Sequence, residues 1–133
     1  MGYQTTFDGE FKISPPLSVE VQRELNSFCG NAQDKIDELP GNPPHYGQCD
    51  WAFSTDGTSM CWNGMGKSYE MTRWAVYLHN EFFPDHDLDG RIHARGEEFN
   101  DIWTMVASSE QSLIFEEDGW DQCSNHLRTT KRQ

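Results

Sequence analysis

Apolar and polar positions alternate at the start of the chain. From Tyr3 to Ile13, the residues Tyr3, Thr5, Phe7, Phe11 and Ile13 fall on one side of a period of two, the pattern of a half-buried strand, with Gly9 marking a bend. Pro15-Pro16 stops it. Ser18 stands where a helix N-cap belongs, and Val21, Leu25 and Phe28 recur at helical spacing before Gly30. Asn31 to Tyr46 is polar and rich in turn formers. The clearest local signal lies between Cys49 and Trp62, two short strands joined at Asp56-Gly57, a favoured hairpin turn. In that register Trp51 faces Trp62 and Phe53 faces Met60. The opposite face carries Asp50, Ala52, Ser54, Ser59, Cys61 and Asn63. A second helix is predicted from Ser68 to Phe83, with Met71, Ala75, Leu78 and Phe82 inward, Trp74 beside them and Pro84 closing it. Leu88 to Arg95, Ile102 to Ala107 and Ser112 to Phe115 read as three further strands.

The order β-α-β-β-α-β-β-β predicts an α+β fold, an antiparallel sheet with two helices packed on one face. A length of 133 residues suits one compact domain, assigned to residues 1–117, with 118–133 a loosely held tail. Five Trp, four Tyr and eight Phe are too many for a disordered chain, although the apolar share is only 35%. No apolar run approaches the ~20 residues needed to span a bilayer, and no secretion signal opens the chain. The expectation is a cytoplasmic protein without a membrane partner.

Charge sharpens this picture. The net charge is -12, and the stretch from Glu81 to Asp121 holds twelve acids against Arg91 and Arg95, a net of -10. Such a surface repels phosphate, so direct nucleic-acid binding is not expected. An acidic segment serves either solubility or docking on a basic protein. For docking, the candidate residues are Glu97, Glu98, Asp101, Glu116, Glu117 and Asp118.

Other candidates compete. Arg91, His93 and Arg95 alternate along one strand and share a face, while Ile92 and Ala94 take the other. The row either balances the nearby Glu97, Glu98 and Asp101 or, with Lys67, forms a ligand face for a phosphate. Gly64-Met65-Gly66-Lys67-Ser68 lies between strand and helix like a phosphate loop, but Cys61 replaces the first glycine of that motif; a plain turn with Ser68 as cap is the simpler reading. Asp85, Asp87 and Asp89 followed by Gly90 resemble the start of a calcium loop. Position 12 is Gly96 where a bidentate Glu is needed, which leaves a helix-to-strand loop turning at Asp89-Gly90 and no more than weak cation binding. Cys29, Cys49, Cys61 and Cys123 form no C-x-x-C pair and read as reduced thiols; a zinc site from Cys49, Cys61 and a His has no recognised spacing. Met1-Gly2 begins only a loose myristoylation pattern. His79, His86 and His93 are the candidates for acid–base work, but no catalytic or cofactor motif is complete, so neither a catalytic residue nor a cofactor is assigned.

The series Gly2-Tyr3-x-Thr5-x-Phe7-x-Gly9-x-Phe11 resembles the opening of a family of small bacteriophage and prophage proteins. A second block is similar to the same family: Trp51, Thr55-Asp56-Gly57-Thr58, Trp62, Gly64, Lys67, Tyr69, Trp74, Tyr77-Leu78, Phe82, Pro84 and Gly90. The resemblance covers about residues 2–28 and 46–98. It implies a phage or mobile-element origin and a bacterial cytoplasmic setting, and carries over no catalytic residue. The leading expectation is a small acidic phage-type protein that binds, and by binding inhibits, a host protein with a basic surface, such as a defence or nucleic-acid enzyme. The alternatives are a nucleotide or phosphate-ester protein using Lys67, Arg91, His93 and Arg95, and a structural or accessory virion protein.

Overall fold

A computed structural model of the chain describes residues 4–30, 38–44, 48–65, 68–120 and 127–131, the last five as backbone. Seven strands, β1 (Thr6–Ser14), β2 (Trp51–Phe53), β3 (Ser59–Trp62), β4 (Asp87–Arg95), β5 (Ile102–Ser108), β6 (Leu113–Asp118) and β7 (Leu127–Lys131), form one sheet in the order β2-β3-β1-β4-β5-β6-β7. Each registered pairing is antiparallel. Two helices, α1 (Val19–Asn26) and α2 (Met71–Phe82), complete the α+β fold.

The local signals act as elementary physics predicts. Ser18 caps α1, its Oγ accepting from the amide of Val21 at 3.2 Å. The hairpin has the expected register, Trp51 against Trp62, Ala52 against Cys61 and Phe53 against Met60. Its turn centres one residue earlier than Asp56-Gly57: the amide of Ser54 donates to the carbonyl of Ser59 at 3.0 Å, and the amide of Gly57 donates to the carbonyl of Ser54 at 3.0 Å, around Thr55-Asp56. Side chains hold it as well: Asp56 Oδ1 accepts from the Ser54 hydroxyl, the Thr58 hydroxyl and the Thr58 amide. These hydrogen bonds hold the Asp56 carboxyl down at about 2.

The core lies between the sheet and the helices. Phe11 and Ile13 of β1, Trp51, Met60, Leu88, Ile92, Met105, Ala107 and Ile114 meet Leu25 and Phe28 on the α1 side and Met71, Trp74, Ala75 and Leu78 of α2. Trp51 is 1% exposed, stacks on Phe11 at 5.7 Å between ring centroids, and donates its indole N–H to the carbonyl of Met71 at 3.0 Å. One hairpin tryptophan thus ties the sheet edge to the start of α2.

Four other expectations change. The compact part of the chain does not stop at residue 117: β6 runs to Asp118, and β7 pairs with β6 inside the segment expected to be a tail. Helix α2 begins at Met71, not Ser68. Glu70 takes the N-cap position with φ 58, while Ser68 is buried and accepts the indole N–H of Trp62 at 2.8 Å. Asp50, placed on the polar face of the hairpin, is 1% exposed and accepts from Gln48 at 3.0 Å. Gly90 is not in a turn but inside β4, opposite Phe11. With φ 145, a Cβ there would lie 2.6 Å from the carbonyl oxygen of Glu10, so glycine permits β1 and β4 to pass this closely. The aspartates that resemble a calcium loop therefore belong to a turn and a strand: β4 begins at Asp87, and Asp89 accepts the amide of Ser109 at 2.9 Å.

Candidate functional site

The six acidic candidates separate into three environments. Glu97, Glu98 and Asp101 lie in the loop between β4 and β5, which follows the Arg95–Ile102 pair. The amide of Gly96 donates to the carbonyl of Asp101 at 2.8 Å, and that of Asp101 to Glu98 at 3.1 Å, giving the loop a definite shape. Glu97 Oε2 accepts the amide of Gln4 at 2.8 Å, which ties the loop to the chain leading into β1. Glu97 and Glu98 are exposed, Asp101 is half-buried, and between them Phe99 is 98% exposed. Asp118 pairs in register with Trp103 at the same end of the sheet.

Glu116 and Glu117 leave this group because β6 sends successive side chains to opposite faces. Glu116 is 8% exposed under α2, where the Thr72 hydroxyl donates to Oε2 at 2.7 Å. Its carboxylate sits against the first turn of that helix, where the peptide dipoles favour negative charge. Glu117 points to the open face and pairs with Arg91 Nη1 at 3.0 Å. Glu116 is thus removed as a docking residue by burial, and Glu117 is engaged by a neighbour.

The acidic end carries more than charge. Met65, just beyond β3, is 54% exposed. A pocket of about 220 Å³ opens between β1, β5, β6 and the start of α2, lined by Phe7, Tyr69, Glu70, Thr72, Trp103 and Glu116 among others. Phe7 meets Trp62 and Trp103 edge-on at 5.5 and 5.9 Å. Arg73 is turned onto Glu70 at 2.8 Å.

The basic row does lie on the face opposite the helices, and each member has a neighbour. Arg91 holds Glu117. His93 Nδ1 is 3.3 Å from the Thr104 hydroxyl, which itself donates to the carbonyl of Gly119 at 2.6 Å. After β6 the chain folds back over this face, and Trp120 donates its indole N–H to the carbonyl of Ala94 at 2.8 Å. The Trp120 ring stands 5.8 Å from that of His93, with the Arg95 guanidinium 4.7 Å from its centroid. Asp8 and Glu10 face His93 and Arg91 across the β1–β4 ladder. A phosphate approaching the row meets three carboxylates. Lys67 lies outside the described residues, as do the Met1-Gly2 start and Cys123.

His79 and the cysteines make contacts within the fold. His79 Nε2 lies 2.7 Å from the carbonyl oxygen of His86, and its ring packs edge-on against Phe83. Cys49 is buried beside Cys29, while Cys61 pairs with Ala52 on the other face of the hairpin. Among the described residues no group of three or more His, Cys, Asp or Glu is placed to hold a metal ion, and no helix is long and apolar enough to cross a membrane.

Trp120 and Phe99 are the site residues that sequence reasoning missed. Phe99 carries a readable signal, a lone aromatic between acids in a short strand-to-strand loop. Trp120 carries none, because its position depends on a turn back from β6 across β5 to β4. No family model, no curated protein and no solved structure matches the chain.

Proposed function

We propose that this is a small acidic binding protein of phage type that docks on a basic surface of a bacterial host protein, through the end of the sheet formed by the β4–β5 loop. The observation that carries this reading is Phe99, 98% exposed on a hydrogen-bonded loop and flanked by Glu97, Glu98 and Asp101. Exposed aromatics on shaped loops are suited to act as binding anchors, and surrounding carboxylates steer and orient a cationic partner. The phosphate reading is weakened by Asp8, Glu10 and Glu117 around the arginine row and by Trp120 lying over it. Inhibition of the host protein and the host cytoplasm as setting rest on the resemblance described above.

The test uses the partner recovered from host lysate on the immobilised chain, with binding kinetics across a salt series. Reversing Glu97, Glu98 and Asp101 to Lys is expected to slow association at least ~10-fold at low salt and to flatten the salt response. Phe99→Ala is expected to speed dissociation instead. Arg91→Ala with Arg95→Ala should leave both rates near wild type. Loss confined to the arginine variant would refute docking through the acidic end.

A further inference from the structure

Cys29 and Cys49 sit with their sulfurs 3.0 Å apart. A disulfide is ~2.05 Å long, so an approach of about 1 Å closes the bond. The two backbones are already hydrogen-bonded, the amide of Gly30 donating to the carbonyl of Cys49 at 2.6 Å, and Cys29 is held just beyond α1 by its own amide, which donates to the carbonyl of Leu25 at 2.9 Å. The pair is asymmetric. Cys49 is 2% exposed, whereas Cys29 is half-buried.

We propose that Cys29 and Cys49 are a reversible oxidation site, closed to a disulfide by a peroxide. The Cys29 sulfur attacks one peroxide oxygen, giving a sulfenic acid and one molecule of water from hydrogen peroxide. The Cys49 sulfur then attacks the Cys29 sulfur, forming the S–S bond and releasing the second water. Two thiols are oxidised and one peroxide is reduced. A thiol reductant reverses the step by exchange. The hydrogen shared with Cys49, burial and the nearby Asp50 carboxylate push the Cys29 thiol up, so thiolate is scarce at neutral pH. The site is therefore slow, and its rate rises as the pH is raised. The product joins the turn after α1 to the segment leading into β2, closing a loop of 20 sequence positions. This inference does not depend on the docking reading.

The experiment treats the full chain with hydrogen peroxide, blocks residual thiols by alkylation, and reads intact mass, a peptide map and a thermal melt. The expected product has lost two hydrogen atoms, joins Cys29 to Cys49 in the map, and melts on the order of 10 °C higher. Dithiothreitol should reverse all three changes, and Cys49→Ser should leave Cys29 as a sulfenic acid that dimedone labels. The map of the unmutated chain decides the matter even where the serine variant folds poorly. A link to Cys61 or Cys123, over-oxidised Cys29 beside a free Cys49, or four thiols that all stay reduced would overturn the proposal.

Discussion

The two faces of this sheet are built from the same strands and held by different forces. On β4, Leu88, Ile92 and Ala94 are buried against the helices, while Arg91 and Arg95 stand exposed on the other side. The helix-covered face is a packed set of aromatics and branched side chains with Trp51 and Trp74 at its centre. The open face is a set of neighbours matched by charge and hydrogen bonding: Arg91 with Glu117, His93 with Thr104, Arg95 with Trp120. The comparison teaches that alternation decides which side chains are buried, whereas the function of an exposed charge depends on what stands beside it. The acids of the β4–β5 end and the bases of the open face look equally available in sequence. Only the first group surrounds a fully exposed aromatic.

The largest expected effect is on the packed face. Trp51→Ala removes a buried indole, its stacking on Phe11 and its bond to Met71, and should cost ~3–5 kcal/mol, a large part of the ~5–15 kcal/mol typical of a domain. Chemical denaturation should show little folded protein left. Trp62→Ala, at a half-buried position, should cost less. If it cost more, the hairpin edge and not the helix-covered centre would be the keystone.

Glu116 and Glu117 give the sharpest contrast, because adjacent carboxylates fall on opposite faces. Glu116→Ala leaves the buried Thr72 hydroxyl without its acceptor and should cost ~1–3 kcal/mol. Glu117→Ala breaks a partly exposed pair with Arg91 and should cost under ~1 kcal/mol, less still in high salt. Equal costs by denaturant unfolding would erase the distinction between the faces.

The smallest effect concerns the exposed turn, where hydrogen bonds alone hold a charge. Asp56 has its carboxyl lowered from 3.8 to about 2. A lowered acid contributes stability that is present above its unfolded value and is lost as pH falls through the folded one. The amide proton of Thr58, bonded to Asp56, should therefore titrate near pH 2 by NMR, and Asp56→Asn should abolish that transition. A midpoint near 4 would mean that the turn's hydrogen bonds do not favour the charged form.

Much of the architecture was legible because it follows from short-range rules. The hairpin register comes from period two, since a slip by one residue would expose Trp51 and Met60 together; the turn itself closes around Thr55-Asp56, one residue before the Asp56-Gly57 pair that the sequence suggests. The start of α1 comes from Ser18. Legibility failed where a residue's role is set by a distant strand. Ser68 looks like a cap, yet Trp62 claims its hydroxyl and α2 starts three residues later. Asp89-Gly90 looks like a turn, yet β1 passes so close that Gly90 is needed inside a strand. Of the candidate site, the acidic loop was readable as charge, and its anchor Phe99 was not singled out.

The sequence by itself determined the α+β class, the hairpin pairing, the apolar side of each strand and the acidic character of the C-terminal half. These depend on periodicity, turn chemistry and composition, which are properties of neighbours along the chain. Tertiary structure alone decided that Glu116 is buried against a helix start, that Glu117 meets Arg91, that Trp120 lies over Arg95, and that Cys29 touches Cys49. The physical reason is that each is a contact between segments whose proximity is set by strand order and helix docking, and no local pattern encodes that distance.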